Sequence, residues 1–142
     1  MLFRSSMMPN ALLKSGLAIA VREFLNRIGN TDKLKIELEI HGLKDRLEST
    51  IETVLFRVLQ EIINNIIKHS EASIVNIQII RHENELSMMV EDNGKGFDAS
   101  KISSDGIGMK NIRSRIAYLN GTVHFDSQPG KGTTVSIEVP LK

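Results

Sequence analysis

Cysteine and tryptophan are absent from this 142-residue chain, and five Phe and one Tyr are its only aromatic side chains. Without cysteine there is no thiol nucleophile, no disulfide framework and no Cys-ligated zinc or iron–sulfur site. Neither sign of charge dominates: 18 Lys+Arg stand against 17 Asp+Glu, a formal net charge of +1. A nucleic-acid-binding surface needs a basic excess gathered on one face, so nucleic acid is not an expected partner. Long apolar runs are missing too. None approaches the roughly 18–20 residues that span a bilayer, and Met1-Leu2-Phe3-Arg4 leads into no signal-peptide core, so the expectation is a soluble, cytosolic piece without membrane contact. What is present suffices for one domain, since a chain of about 150 residues buries roughly 68–70% of its unfolded surface.

From about Pro9 to Ile28, Leu13, Leu17, Val21, Phe24, Leu25 and Ile28 recur at helical spacing, with Pro9 tolerated in a first turn. The pattern predicts one amphipathic helix, although Gly16 inside it costs about 1 kcal/mol relative to Ala. Gly29-Asn30-Thr31-Asp32 stops that helix, and Leu34, Ile36, Leu38 and Ile40 then alternate with polar residues as a half-buried strand does. A second helix carries Ile51, Val54, Leu55, Val58, Leu59, Ile62, Ile63, Ile66 and Ile67 in an unbroken 3-4 pattern. Ser73 to Ile80 and Leu86 to Glu91 form a predicted hairpin about the turn His82-Glu83-Asn84-Glu85. The stretch from Asp92 to Gly108 holds four of the ten glycines and no pattern, which at that length marks function or mobility rather than a connector. A shorter helix from Met109 to Leu119, with Asn120-Gly121 at its C-terminal cap, precedes two strands, Thr122 to Ser127 and Thr133 to Val139. The layer rule favours an α/β two-layer sandwich: a mixed, mainly antiparallel sheet covered on one face by helices.

The second helix holds a local contradiction. At about 100° per residue, Asn65 projects inside the edge of the apolar stripe, with Glu61 about 40° further out and Lys68 about 20° from Glu61. His69 follows at the helix end. One reading is a boundary row with an exposed Glu/Lys pair; the other is an amide oxygen offered to Mg²⁺ beside a carboxylate and an ammonium that face phosphates. Asp92-Asn93-Gly94-Lys95-Gly96-Phe97 ends a strand. It is either a tight turn or a place where a flat ligand nears the backbone and a carboxylate accepts from an exocyclic amine. Gly106-Ile107-Gly108-Met109 feeds a helix N-terminus, a geometry that suits phosphate, yet it is neither a Walker loop nor a Rossmann fingerprint. Gly130-Lys131-Gly132-Thr133 alone is an ordinary hairpin loop.

In that order, and with Glu61-Ile62-Ile63-Asn64-Asn65-Ile66-Ile67-Lys68-His69-Ser70 as the helical string, these motifs resemble the ATP-binding catalytic domain of bacterial sensor histidine kinases. These belong to the superfamily of gyrase, chaperone and mismatch-repair ATPases and have its Bergerat-type fold. Gln60-Glu61 ahead of Lys68-His69 resembles the branch that signals to NarL-type response regulators. The resemblance implies that Asn65 holds Mg²⁺ between the phosphates of ATP, that Glu61 sits near the line of attack, and that Lys68 and His69 lie at the phosphate side. It implies further that Asp92 accepts from the adenine amino group, that Gly94 and Gly96 give the base room, and that Thr133 supports the adenine end. By the same resemblance, Gly106 and Gly108 are expected to close a lid, with the N-terminal amides of the next helix, from Met109, on the phosphates. Phosphoryl transfer is mainly positioning and charge neutralisation, so no covalent nucleophile on the domain is required.

One departure stands out. The acceptor histidine of such kinases precedes an acidic residue on a helical hairpin, and the only match, Arg81-His82-Glu83, falls in a hairpin turn. The expectation is therefore a C-terminal piece of a longer, homodimeric sensor. Residues 1–31 are then the end of a dimerisation helix and a linker, residues 32–142 are the catalytic domain, and a membrane-spanning part lies upstream if the parent has one. Its partners are ATP, the parent's phosphoacceptor domain and a response regulator. An anti-sigma serine kinase of the same superfamily and a non-catalytic nucleotide- or partner-binding module are the alternatives.

Overall fold

The computed structural model describes residues 9–29, 34–96 and 109–141. Chain order is α1 (Asn10–Ser15), α2 (Leu17–Ile28), β1 (Lys35–His41), α3 (Ser49–Asn65), β2 (Ile74–Arg81), β3 (Glu85–Asp92), α4 (Met109–Tyr118), β4 (Thr122–Ser127) and β5 (Thr133–Pro140). The strands form one sheet in the order β1-β2-β3-β5-β4. β1 and β2 are parallel because α3 carries the chain back between them, whereas the β2–β3 and β4–β5 hairpins and the β3–β5 pair are antiparallel. The predicted mixed, mainly antiparallel sheet is what forms.

Strand alternation decides which face is covered. Val75, Ile77 and Ile79 of β2, Leu86, Met88 and Val90 of β3, and Val135, Ile137 and Val139 of β5 are buried on one face. Their neighbours include exposed Glu37, Glu39, Glu91, Asp126 and Glu138 on the other. Onto the apolar face α3 lays Leu55, Phe56, Val58, Leu59, Ile62 and Ile63, and α4 adds Ile112 and Ile116. Leu12, Leu17, Ala20, Val21, Phe24 and Leu25 of α1 and α2 join the same core, where the Phe24 and Phe56 rings meet edge to face at 5.9 Å. Any division of the chain near residue 31 has to accommodate this shared core.

Two predicted helices change in detail. The segment from Pro9 to Ile28 is broken at Gly16, which stands at φ 96°, so two helices replace the single one expected. The second predicted helix is α-helical only to Asn65; Ile66–Ser70 is a π-turn, closed by Glu71 at φ 58°. No helix among the described residues is long and apolar enough to cross a membrane.

Candidate functional site

A cavity of about 270 Å³ opens where β3 ends and β5 begins, between the sheet and the helices. Ile62 and Ile66 from the α3 side, Ile112 of α4, Phe125 of β4 and Val135 of β5 make its apolar walls. Its polar groups gather at two ends.

At the sheet end, register does the positioning. Asp92 of β3 pairs with Thr133 of β5, and Thr133 pairs with Ser127 of β4, so side chains from three strands lie side by side. Asp92 is only 5% exposed. Its Oδ1 accepts the Gly94 backbone N–H at 2.7 Å, and among the described residues no donor occupies the second oxygen, which leaves that oxygen as an acceptor at the cavity. Burial pushes the Asp92 carboxyl above the usual carboxylate range; the Gly94 amide opposes this and the adjacent Glu91 charge adds to it. The Thr133 hydroxyl is 2.7 Å from that of Ser127, which also donates to the Gly132 carbonyl at 3.2 Å. Thr133 was expected at this site. Ser127 was not, because its place depends on strand pairing and no local string marks it.

The turn after β3 is welded to the end of α3. Lys95 N–H donates to the Ser70 carbonyl at 2.7 Å, and Gly130 N–H donates to the Lys95 carbonyl at 2.6 Å. Asn93 accepts the Ser73 and Ile74 amides at 2.9 and 3.0 Å and donates to the Ser73 hydroxyl. A Cβ on Gly94 would strike the Ser70 carbonyl oxygen and stand 2.7 Å from the Ser70 Cβ, so only glycine lets this turn close on the helix end. Gly96 lies at the cavity rim.

At the helix end, Asn65 and His69 face the cavity. The π-turn inserts an extra residue per turn, so the 100° projection fails beyond Asn65: Lys68 is exposed and off the lining, and His69, one residue on, reaches it. Glu61 lies one turn before Asn65, half-buried, and does not line the cavity. Gly106 and Gly108 lie outside the described residues, and only the backbone of Met109 is described, as the first residue of α4. On the α4 side, the Arg113 guanidinium sits 4.9 Å from the centre of the Phe125 ring and ties α4 to the strand that supplies one cavity wall.

The arrangement suits a ligand with a flat apolar body, an amine at the Asp92 end and anionic groups at the Asn65 end. Among the described residues no group of three or more His, Cys, Asp or Glu could cage a metal. A single amide oxygen such as that of Asn65 fits a hard cation that keeps its waters and brings phosphate oxygens with its ligand.

A two-layer sandwich with this cavity between its strand ends and helix ends is the architecture of an ATP-binding catalytic domain. Residues 50–142 match the family model described as "Histidine kinase-, DNA gyrase B-, and HSP90-like ATPase", and the chain belongs to that family. It is similar to the oxygen sensor histidine kinase NreB of Staphylococcus carnosus, 31% identical over 94% of this chain and 39% of that protein. It is 34% identical to the signal transduction histidine-protein kinase/phosphatase DegS of Bacillus subtilis over 94% of this chain and 36% of that one. This chain thus spans under two fifths of the first of these kinases. The fold matches that of the blue-light activated histidine kinase of Erythrobacter litoralis, with a TM-score of 0.72 at 20% identity over 88% of this chain and 41% of that one.

Proposed function

We propose that this chain is the catalytic domain of a protein histidine kinase that binds Mg-ATP and delivers the γ-phosphoryl group to a histidine on a separate dimerisation domain. The observation that carries the reading is one cavity with Asp92 and Thr133 at one end and Asn65 and His69 at the other, in a chain of this family. The Asp92 oxygen left open by Gly94 accepts from the adenine amine, with Thr133 beside it. Asn65 offers its amide oxygen to Mg²⁺, which supplies charge neutralisation at the phosphates when bound. His69 lies beside Asn65 for the phosphates, Glu61 and Lys68 flank them from the same helix end, and Gly96 borders the base. The N-terminal backbone amides of α4, from Met109, face the phosphates. The parent is a homodimer, the final acceptor is a NarL-type response regulator, and this domain works in the cytoplasm.

Titration with ATP, with and without Mg²⁺, tests the assignment. Asp92→Asn should weaken binding by about 10- to 100-fold in both conditions, the worth of a hydrogen bond to a charged group. Asn65→Ala should remove only the increment that Mg²⁺ adds. Unchanged affinity in both variants would mean that the nucleotide site is elsewhere.

A further inference from the structure

The most completely satisfied buried charge in the described structure is not at the cavity. Glu52, in the first turn of α3, is 2% exposed. Its Oε1 accepts from Arg46 Nη2 at 2.7 Å and its Oε2 from Arg46 Nε at 3.0 Å, a bidentate fork, and Oε2 also accepts the Leu47 amide at 3.2 Å. The carboxylate raises the Arg46 guanidinium above its ordinary value. What remains of that guanidinium turns to α1: Nη2 donates to the Leu12 carbonyl at 3.3 Å and Nη1 to that of Lys14 at 3.4 Å. Both carbonyls belong to the closing turn of α1, where that of Leu12 also accepts the Gly16 amide at 3.2 Å.

Gly16 is the third part. A Cβ there would stand 2.8 Å from both Cδ and Nε of Arg46, and φ of 96° is a conformation other residues rarely take. The helix breaks at the residue over which the Arg46 side chain passes. One guanidinium therefore joins three segments: the elbow between α1 and α2, the connection before α3, and the first turn of α3.

We propose that Arg46 is a positioning residue, which with Glu52 locks the elbow at Gly16 to α3 and so fixes the direction of the N-terminal helices relative to the nucleotide cavity. The latch lies about 20 Å along α3 from Asn65, so it acts on orientation and not on nucleotide contacts. Its consequence for catalysis rests on the proposed transfer reaction. A phosphoacceptor reached through α1 has to meet the cavity mouth, and the latch sets how it arrives.

The double variant Arg46→Met/Glu52→Gln removes the fork without leaving a buried charge, and Gly16→Ala pushes against the guanidinium independently. In each, hydrogen exchange of the α1 amides and of the first turn of α2 should quicken by about tenfold or more, while β3 amides stay within about twofold. Mg-ATP affinity should also stay within about twofold, sites so distant being independent. In the parent protein carrying the acceptor histidine, the transfer rate at saturating ATP should fall by about tenfold with KM unchanged, and Arg46→Lys should restore part of it. Unchanged α1 exchange in both variants would overturn the latch, as would an equal rise throughout the sheet. A wild-type chain that binds no Mg-ATP refutes the proposed function instead, and the exchange measurement still decides the latch.

Discussion

The two ends of α3 solve opposite problems. At its N-terminal end Glu52 is buried and its oxygens are taken by Arg46 and the Leu47 amide, so nothing is left for a ligand. At its C-terminal end the helix loosens into a π-turn, and Asn65 and His69 border an open cavity whose far wall holds a carboxylate with one oxygen uncommitted among the described residues. Burial of charge is common to both ends. Completeness of pairing separates them: a saturated ion pair joins elements, and an unsaturated one, like a strained helix end, is where a ligand can bind.

The sharpest way to break that contrast is to remove a charge at each end. Glu52→Ala removes the buried fork and leaves Arg46, itself about half exposed, with only the α1 carbonyls, so the midpoint of thermal unfolding should fall clearly below that of the wild type. Its nucleotide affinity, measured well below that midpoint, should be unchanged. Gly94→Ala acts at the other end, where the added Cβ meets the Ser70 carbonyl; the turn has to leave α3, and ATP binding should fall by about 100-fold or more in calorimetry. If Glu52→Ala abolished binding at low temperature, the two ends would not be separable.

Asp92→Asn should move stability and binding in opposite directions. Its folded carboxyl is raised, so the fold retains the proton where the unfolded chain, titrating near about pH 4, has released it. The contribution of Asp92 is thus fully present below the unfolded value and is lost as pH rises through the folded one. At neutral pH the amide keeps an acceptor for Gly94 N–H and escapes the cost of a buried charge. The variant should melt higher than wild type at pH 7, lose that advantage below about pH 4, and bind ATP poorly throughout. A lower melting point at pH 7 would show that Asp92 is satisfied like Glu52.

Much of this was readable from one dimension. The 3-4 pattern from Ile51 to Ile63 and the alternation of β2, β3 and β5 produce the core, because burial of one face is a local property. Asp92, Asn65, His69 and Thr133 stand in strings whose order pointed to a common cavity, and they share its lining. What escaped was non-local. Ser127 comes beside Thr133 through β4–β5 register, and the break at Gly16 is occupied by a side chain thirty positions away, from the connection between β1 and α3. Glu52 is buried only because Arg46, from the preceding connection, pairs with it. The π-turn escaped for a different reason: Ile66 and Ile67 continue the apolar pattern, so nothing in the sequence announces that the α-helix has ended.

The smallest expected effect concerns how that helix end is held. Glu71 follows the π-turn at φ 58° and ψ 31°, a left-handed conformation that costs a residue with a Cβ about 1 kcal/mol. Asn120, after α4, stands at φ 60°, but asparagine accepts this region readily. Glu71→Gly should therefore raise stability by about 0.5–1 kcal/mol in denaturant titration, and Asn120→Gly should change it by about half of that or less. Because the strain lies outside the cavity, ATP affinity should be the same in both variants. A Glu71→Gly chain that gained stability and lost affinity would show that the strained residue helps to hold Asn65 and His69 at the cavity, making the helix end part of the site itself.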